Sequence, residues 1–91
     1  MATGGAKRTL HHRETARFRR VAALLARRTN ALRVAREWTI EVTAERIGVE
    51  PAYVRRLEAG TANVSLAILV SVAHAFGLAV HELLTPETVR V

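Results

Sequence analysis

Residues 38–60 read WTIEVTAERIGVEPAYVRRLEAG, and this stretch decides the fold. Thr39 is a good N-cap residue, and Glu41 behind it places a carboxylate in the first turn, where the helix dipole favours negative charge. Gly48 supplies the positive φ that stops the helix and turns the chain. Pro51 suits the first position of a second helix, whose end is marked by Gly60. Ala44, four residues before Gly48, is small enough to let the second helix cross closely. Val49, Val54 and Leu57 then fill the apolar wedge between the two.

Working outward, residues 14–37 hold no Gly or Pro and are dominated by Ala, Leu and Arg, all strong helix formers. Phe18, Val21, Ala22, Leu25, Leu32 and Ala35 recur at helical spacing as one apolar stripe, with the arginines mostly elsewhere. Asn30 offers an alternative cap for a second, shorter helix, but one long helix is the preferred reading. Downstream, Ser65 caps a helix that runs to Phe76 and stops at Gly77, and a last turn spans about Val80 to Leu84 before Pro86. Five helices with short connections and no strand signal make an all-α domain over residues 14–85. Residues 1–13, with two glycines and scattered bases, read as a flexible basic arm, and 86–91 as a tail.

The charge is unevenly divided. The 91 residues carry 14 Lys+Arg against 8 acids, a net +6. Thirteen of the bases are arginine, and every acid is glutamate. Up to Arg36 there are ten bases and one acid; beyond it, four bases and seven acids. The basic character therefore belongs to the arm and the first helix, and the central helix pair is slightly acidic.

Composition excludes several classes. With no Cys there is no disulfide framework or thiolate chemistry, which suits a reducing cytoplasm. The longest apolar runs, 21–26 and 66–70, fall far short of the roughly 20 residues that span a bilayer. Nor do they fit a secretory signal, and the Arg-rich first 36 residues lack the serines of a transit peptide. His11, His12, His74 and His81 do not make a metal site with ligand spacing. Ser65 and Ser71 have ordinary helical places, and no paired carboxylates or phosphate-cradling Gly loop are present. The expectation is a binding protein that needs no cofactor or metal, not an enzyme.

Two short helices joined by a tight turn form a helix-turn-helix, whose second helix enters a DNA major groove. From about residue 24 to 84 the chain resembles the Cro/repressor-type helix-turn-helix family, also called the xenobiotic-response-element family. The resemblance runs without a gap through Ala31-Leu32-Arg33, Ala44-Glu45-Arg46-Ile47-Gly48-Val49, Tyr53-Val54-Arg55-Arg56-Leu57-Glu58, Gly60, Asn63, Ser65-Leu66, Leu69, Ala73, Ala75-Phe76-Gly77 and Glu82-Leu83-Leu84. It implies a five-helix, repressor-like DNA-binding domain, here with a long first helix and the motif at about 39–59. It further implies a transcriptional regulator, a homodimer on a palindromic operator in double-stranded DNA. The alternative is an antitoxin-like or adaptor module that holds a partner protein through the same fold.

The resemblance also points to DNA-facing positions, with departures among them. Where the family has Gln this chain has Ile40, beside Thr39, and where it has a short polar cap this chain has Glu50. Pro51 and Ala52 stand in place of polar base readers and offer only apolar contact to a thymine methyl. Arg55 is placed for a bidentate contact to guanine, or for a pair with a nearby Glu. Arg56 reads as structural or as a phosphate contact. Tyr53 reads as a phosphate contact or a cover for the core edge. Asn63 and Ser65 lie where phosphate meets a helix start, or serve turn and cap chemistry alone. Arg19 and Arg20, with Arg13, Arg17, Arg27 and Arg28, form either an electrostatic clamp on flanking phosphates or a solvated face. A surface for a second subunit or a partner protein is the third reading of that helix. Trp38 reads as a core plug.

Overall fold

A computed structural model describes residues 15–86, so the arm at 1–13, with His11, His12 and Arg13, and the end of the tail lie outside the described residues. Five α-helices make up the described part: α1 (Ala16–Ala35), α2 (Ile40–Ile47), α3 (Pro51–Ala59), α4 (Leu66–Ala75) and α5 (Val80–Leu83). The first is a single helix of 20 residues, unbroken at Asn30.

The capping chemistry explains the boundaries. Thr15, Thr39 and Ser65 each accept a hydrogen bond from the backbone N–H three residues on, at 3.1, 3.0 and 3.1 Å. These bonds satisfy orphan amides of α1, α2 and α4. α5 lacks a capping hydroxyl because Ala79 stands there, and the Glu82 carboxylate accepts from the Ala79 N–H at 2.8 Å instead. Four helices end in one way: after α1, α2, α3 and α4 the chain turns through a left-handed residue, and the following N–H reaches back five residues. These bonds are Trp38 to Arg33, Val49 to Ala44, Thr61 to Arg56 and Leu78 to Ala73. Glycine fills the left-handed position after α2, α3 and α4, but Glu37 fills it after α1, with φ +58.

The helices close on one core. α1 packs on α3, α2 on both α3 and α4, and α4 on α5. Ala44, Val54, Leu57, Val72 and Leu83 are almost fully buried at the junctions. The close crossing of α2 and α3 rests on Ala44, at 0% exposure, and on Gly48 with φ +90. Thr43 is also fully buried, and its hydroxyl donates to the Thr39 carbonyl at 2.9 Å, so a polar group is carried inside without an unmet bond.

The buried face of α1 departs from the stripe expected from spacing. Leu25 is buried as expected, but Ala26 and Thr29 are buried beside it, while Val21 is half exposed and Ala35 lies on the surface. The reason lies in the partner. Gly60, at the end of α3, sits where an added Cβ would meet the Ala22 carbonyl at 3.9 Å and the Ala26 methyl at 4.0 Å. The contact is therefore centred on small residues rather than on the largest apolar ones. The hydroxyl of Thr29, at 0% exposure, has no hydrogen-bond partner.

Long-range polar contacts lock α1 to the rest. The Arg33 guanidinium donates to both oxygens of Glu58 on α3, at 2.7 and 3.1 Å, and to the Trp38 carbonyl at 3.0 Å. Asn30 donates to the same carboxylate at 3.0 Å. The hydrogen bond to Glu58 raises the Arg33 pKa above its ordinary value, against an opposing effect of burial. Arg28 donates to the carbonyls of Leu83 and Glu82 at the end of α5, and Arg36 to the Phe76 carbonyl at the end of α4. Trp38 and Phe76 stack with ring centroids 5.4 Å apart, and the Arg46 guanidinium lies 4.4 Å from the Trp38 ring centre. Trp38 is thus half-buried, a core plug on one face and a cation platform on the other.

Three outcomes follow for stability, all measurable by thermal or urea unfolding. Thr29→Val removes an unpaired buried hydroxyl at constant shape and raises stability by about 1 kcal/mol. Glu37→Gly relieves the left-handed strain and, after the added freedom of the unfolded chain, stabilises by about 0.5–1 kcal/mol. Arg33→Ala leaves the largely buried Glu58 carboxylate without its cation and costs about 2–3 kcal/mol; a double-mutant cycle with Glu58→Ala recovers a coupling of about 1 kcal/mol or more.

Candidate nucleic-acid interface

The second helix of the pair, α3, presents one face to solvent. Val54 and Leu57 point into the core, so Ala52, Arg55, Arg56 and Ala59 face outward. Glu50 is the N-cap of α3 and makes no side-chain cap bond; Pro51, next to it, has no N–H to satisfy. The start of α3 is therefore an apolar step, Pro51 and Ala52, beside an exposed carboxylate.

Arg55 lies one turn into the helix with its side chain 59% exposed. Its nearest charged partner is Glu41 of α2, at 3.4 Å and 65% exposed. That contact ties the outer edge of α2 to the outer face of α3. It is also weak, since an exposed ion pair is worth about 0–1 kcal/mol. Thr39 and Ile40 lie at the start of α2. The Thr39 side chain caps the helix, and Ile40 is half-buried against the core margin.

Tyr53 faces the other side of α3. Its hydroxyl donates to the Asn63 carbonyl at 3.1 Å, which draws the α3–α4 loop back along the helix. The phenol is held above its ordinary pKa by burial, with the nearby Arg56 acting in the opposite direction. Arg56 lies over the ring, 5.5 Å from its centre. Asn63 is exposed in the loop, and the hydroxyl of Ser65 is the cap of α4. Thus Tyr53, Arg56, Asn63 and Ser65 gather on one flank of α3, and Glu41 and Arg55 on the other.

Arg19 and Arg20 are exposed on α1. Arg19 lies one turn before Ala22, the residue that meets the end of α3 at Gly60. Among the arginines grouped with them, Arg17 and Arg27 are exposed, but Arg28 is engaged with the carbonyls that end α5. A side chain that caps a neighbouring helix is held in place for that purpose.

Sequence spacing alone does not reveal the partners of Glu58. Its carboxylate accepts from Arg33 and Asn30 and anchors α3. Its partners lie 25 and 28 residues away along the chain, beyond the reach of any local pattern.

A family model described as helix-turn-helix matches residues 30–83. Among solved structures, the chain is similar to a hypothetical transcription factor, NHTF, from Neisseria, with a TM-score of 0.71, 31% identity, and 77% of this chain and 80% of that one covered. It is also similar to the clp gene regulator ClgR from Corynebacterium glutamicum (0.65, 33% identity, 70% and 68% covered). A third likeness is to the restriction–modification controller protein C.AhdI from Aeromonas hydrophila (0.64, 31%, 68% and 94%). Among curated protein sequences none matches the chain. With the crossing of α2 and α3 built on Ala44 and Gly48, and a family match over most of the described residues, the chain belongs to the Cro/repressor-type helix-turn-helix family.

Proposed function

We propose that this chain is a sequence-specific regulator of transcription that binds double-stranded DNA in the cytoplasm as a homodimer. Its two copies of α3 would lie about 34 Å apart, one in each half of a palindromic operator. The observation that carries this reading is the exposed Arg55 on the outer face of α3, held only by a 3.4 Å contact to Glu41. A bidentate bond to guanine contributes about 1–3 kcal/mol of discrimination, more than the surface pair it displaces. Likeness to three regulators supports the same class of function.

The other positions take secondary roles in this reading. Pro51 and Ala52 meet a thymine methyl, and Glu50 accepts from a cytosine amino group. Thr39, Arg56, Asn63 and Ser65 approach the phosphates on either side of the groove, with the Tyr53 bond to Asn63 setting the loop. Ile40 braces α2 by packing and contributes no hydrogen bond. Arg19 and Arg20 supply attraction to flanking phosphates, which offsets the acidic character of the chain beyond Arg36.

Anisotropy titrations against fragments of the source genome test this proposal. The expected result is an affinity that falls steeply with salt and prefers a two-fold symmetric site. Arg55→Ala relaxes the choice of base at one position per half-site, a loss of about 1–3 kcal/mol. Arg20→Ala weakens all sequences alike and lowers the salt slope by about 1. Binding that shows neither salt dependence nor sequence preference would remove the proposal.

A further inference from the structure

The outer edge of the helix pair carries negative charge beside the one arginine assigned to base reading. Glu41 stands in the first turn of α2 and Glu45 one turn further on, both exposed. Residues four apart on a helix are surface neighbours, so the two carboxylates share a face. Glu41 reaches across to α3, where its Oε2 accepts from Nη2 of Arg55 at 3.4 Å. The two side chains are 65% and 59% exposed, so the pair lies open to whatever approaches α3. Among the described residues no partner holds the Glu45 carboxylate.

A guanidinium that turns to a guanine gives up the acceptor it held before. The contact to Glu41 exists in the free protein and is lost on the base, so its contribution is subtracted from binding. The Glu41 carboxylate then stands unpaired near phosphates, and like-charge repulsion subtracts a second amount. Glu41 also has a purely structural place, as the first-turn acid that the α2 dipole favours. That place stabilises the fold and does nothing to weaken DNA binding, so the two roles have opposite signatures.

We propose that Glu41 is an affinity-setting residue, an intramolecular competitor that holds Arg55 and keeps operator binding weaker than α3 would otherwise reach. The inference rests on the reading of guanine by Arg55, and adds a residue that acts through Arg55 without touching a base. Its effect depends on sequence. Where guanine is present, Arg55 gives up the Glu41 contact; where it is absent, Arg55 keeps the contact and loses nothing. Glu41 therefore lowers affinity most at the preferred site.

The test is anisotropy with two labelled duplexes. One carries the preferred site; the other has adenine in place of the guanine at which Arg55→Ala loses discrimination. Glu41→Gln, which keeps the size and removes the charge, raises affinity for the first about three- to fivefold, the scale of an exposed ion pair. It raises affinity for the second by less. Glu45→Gln removes the same charge from the same face without releasing Arg55, and raises both alike by about twofold or less. In an Arg55→Ala background Glu41→Gln keeps only that smaller gain. A purely structural Glu41 gives unchanged or weaker binding in Glu41→Gln, and either result overturns the proposal. So does a gain equal on both duplexes, or one that persists in full without Arg55. A wild-type preference that Glu41→Gln leaves untouched defeats this inference alone, whereas the lack of any preferred site removes the reading of function beneath it.

Discussion

The Glu58 carboxylate is the point on which the rest of the structure depends. It accepts from Arg33 and Asn30 of α1, while the same Arg33 also holds the Trp38 carbonyl at the entry to α2. One anion and one guanidinium thus fix the outward-facing helix α3 relative to both preceding helices. The apolar core beneath supplies most of the stabilisation, but apolar packing is non-directional and tolerates small rotations. A two-pronged Arg–carboxylate bond does not, because its fork geometry specifies orientation as well as distance. With the pair 18% and 11% exposed, solvent screens it little.

That arrangement changes the meaning of the charge count. Read as a sum, the chain is a strongly basic protein. In the folded molecule Arg28, Arg33 and Arg36 are directed inward, to the end of α5, to Glu58 and to the end of α4. Arg46 lies against Trp38 and Arg55 against Glu41. Much of the arginine content therefore assembles the fold, by capping carbonyls and bridging helices. Among the described residues, the first half of α1 adds a run of exposed arginines, Arg17, Arg19 and Arg20, in the part that precedes the family match.

The parts of the fold legible in the sequence are those governed by local chemistry. Thr39 and Ser65 as caps, Pro51 as a first helical residue, and Gly48, Gly60 and Gly77 as left-handed stops each act within a few residues of the chain. Glu37 escaped the same logic because its residue type carries no sign of a left-handed turn; only the hydrogen bonds of the ending α1 reveal it. The buried face of α1 was half legible. Spacing locates a stripe, but whether its centre falls on Val21 or on Ala26 depends on which surface of α3 arrives, and that is a tertiary matter. In the candidate interface, the exposure of Arg55 and Ala52 followed from helical periodicity. The bond from Tyr53 to Asn63 and the Glu58 cluster did not, since each joins groups brought together only by folding.

The continuity of α1 has a mechanical consequence. Residues 16–29 and 30–35 belong to one helix without Gly or Pro, and the latter part is bolted to α3 through Asn30 and Arg33. The outer part of that rod is packed on the end of α3 as well, at Ala22 and Ala26, and buries Leu25 and Thr29. Held at both places, α1 does not pivot about either, and it turns together with α3 as one rigid body. A grip on the first turns of α1 would therefore carry α3 with it without bending the helix. Position at one end of α1 and orientation of α3 are thus tied together.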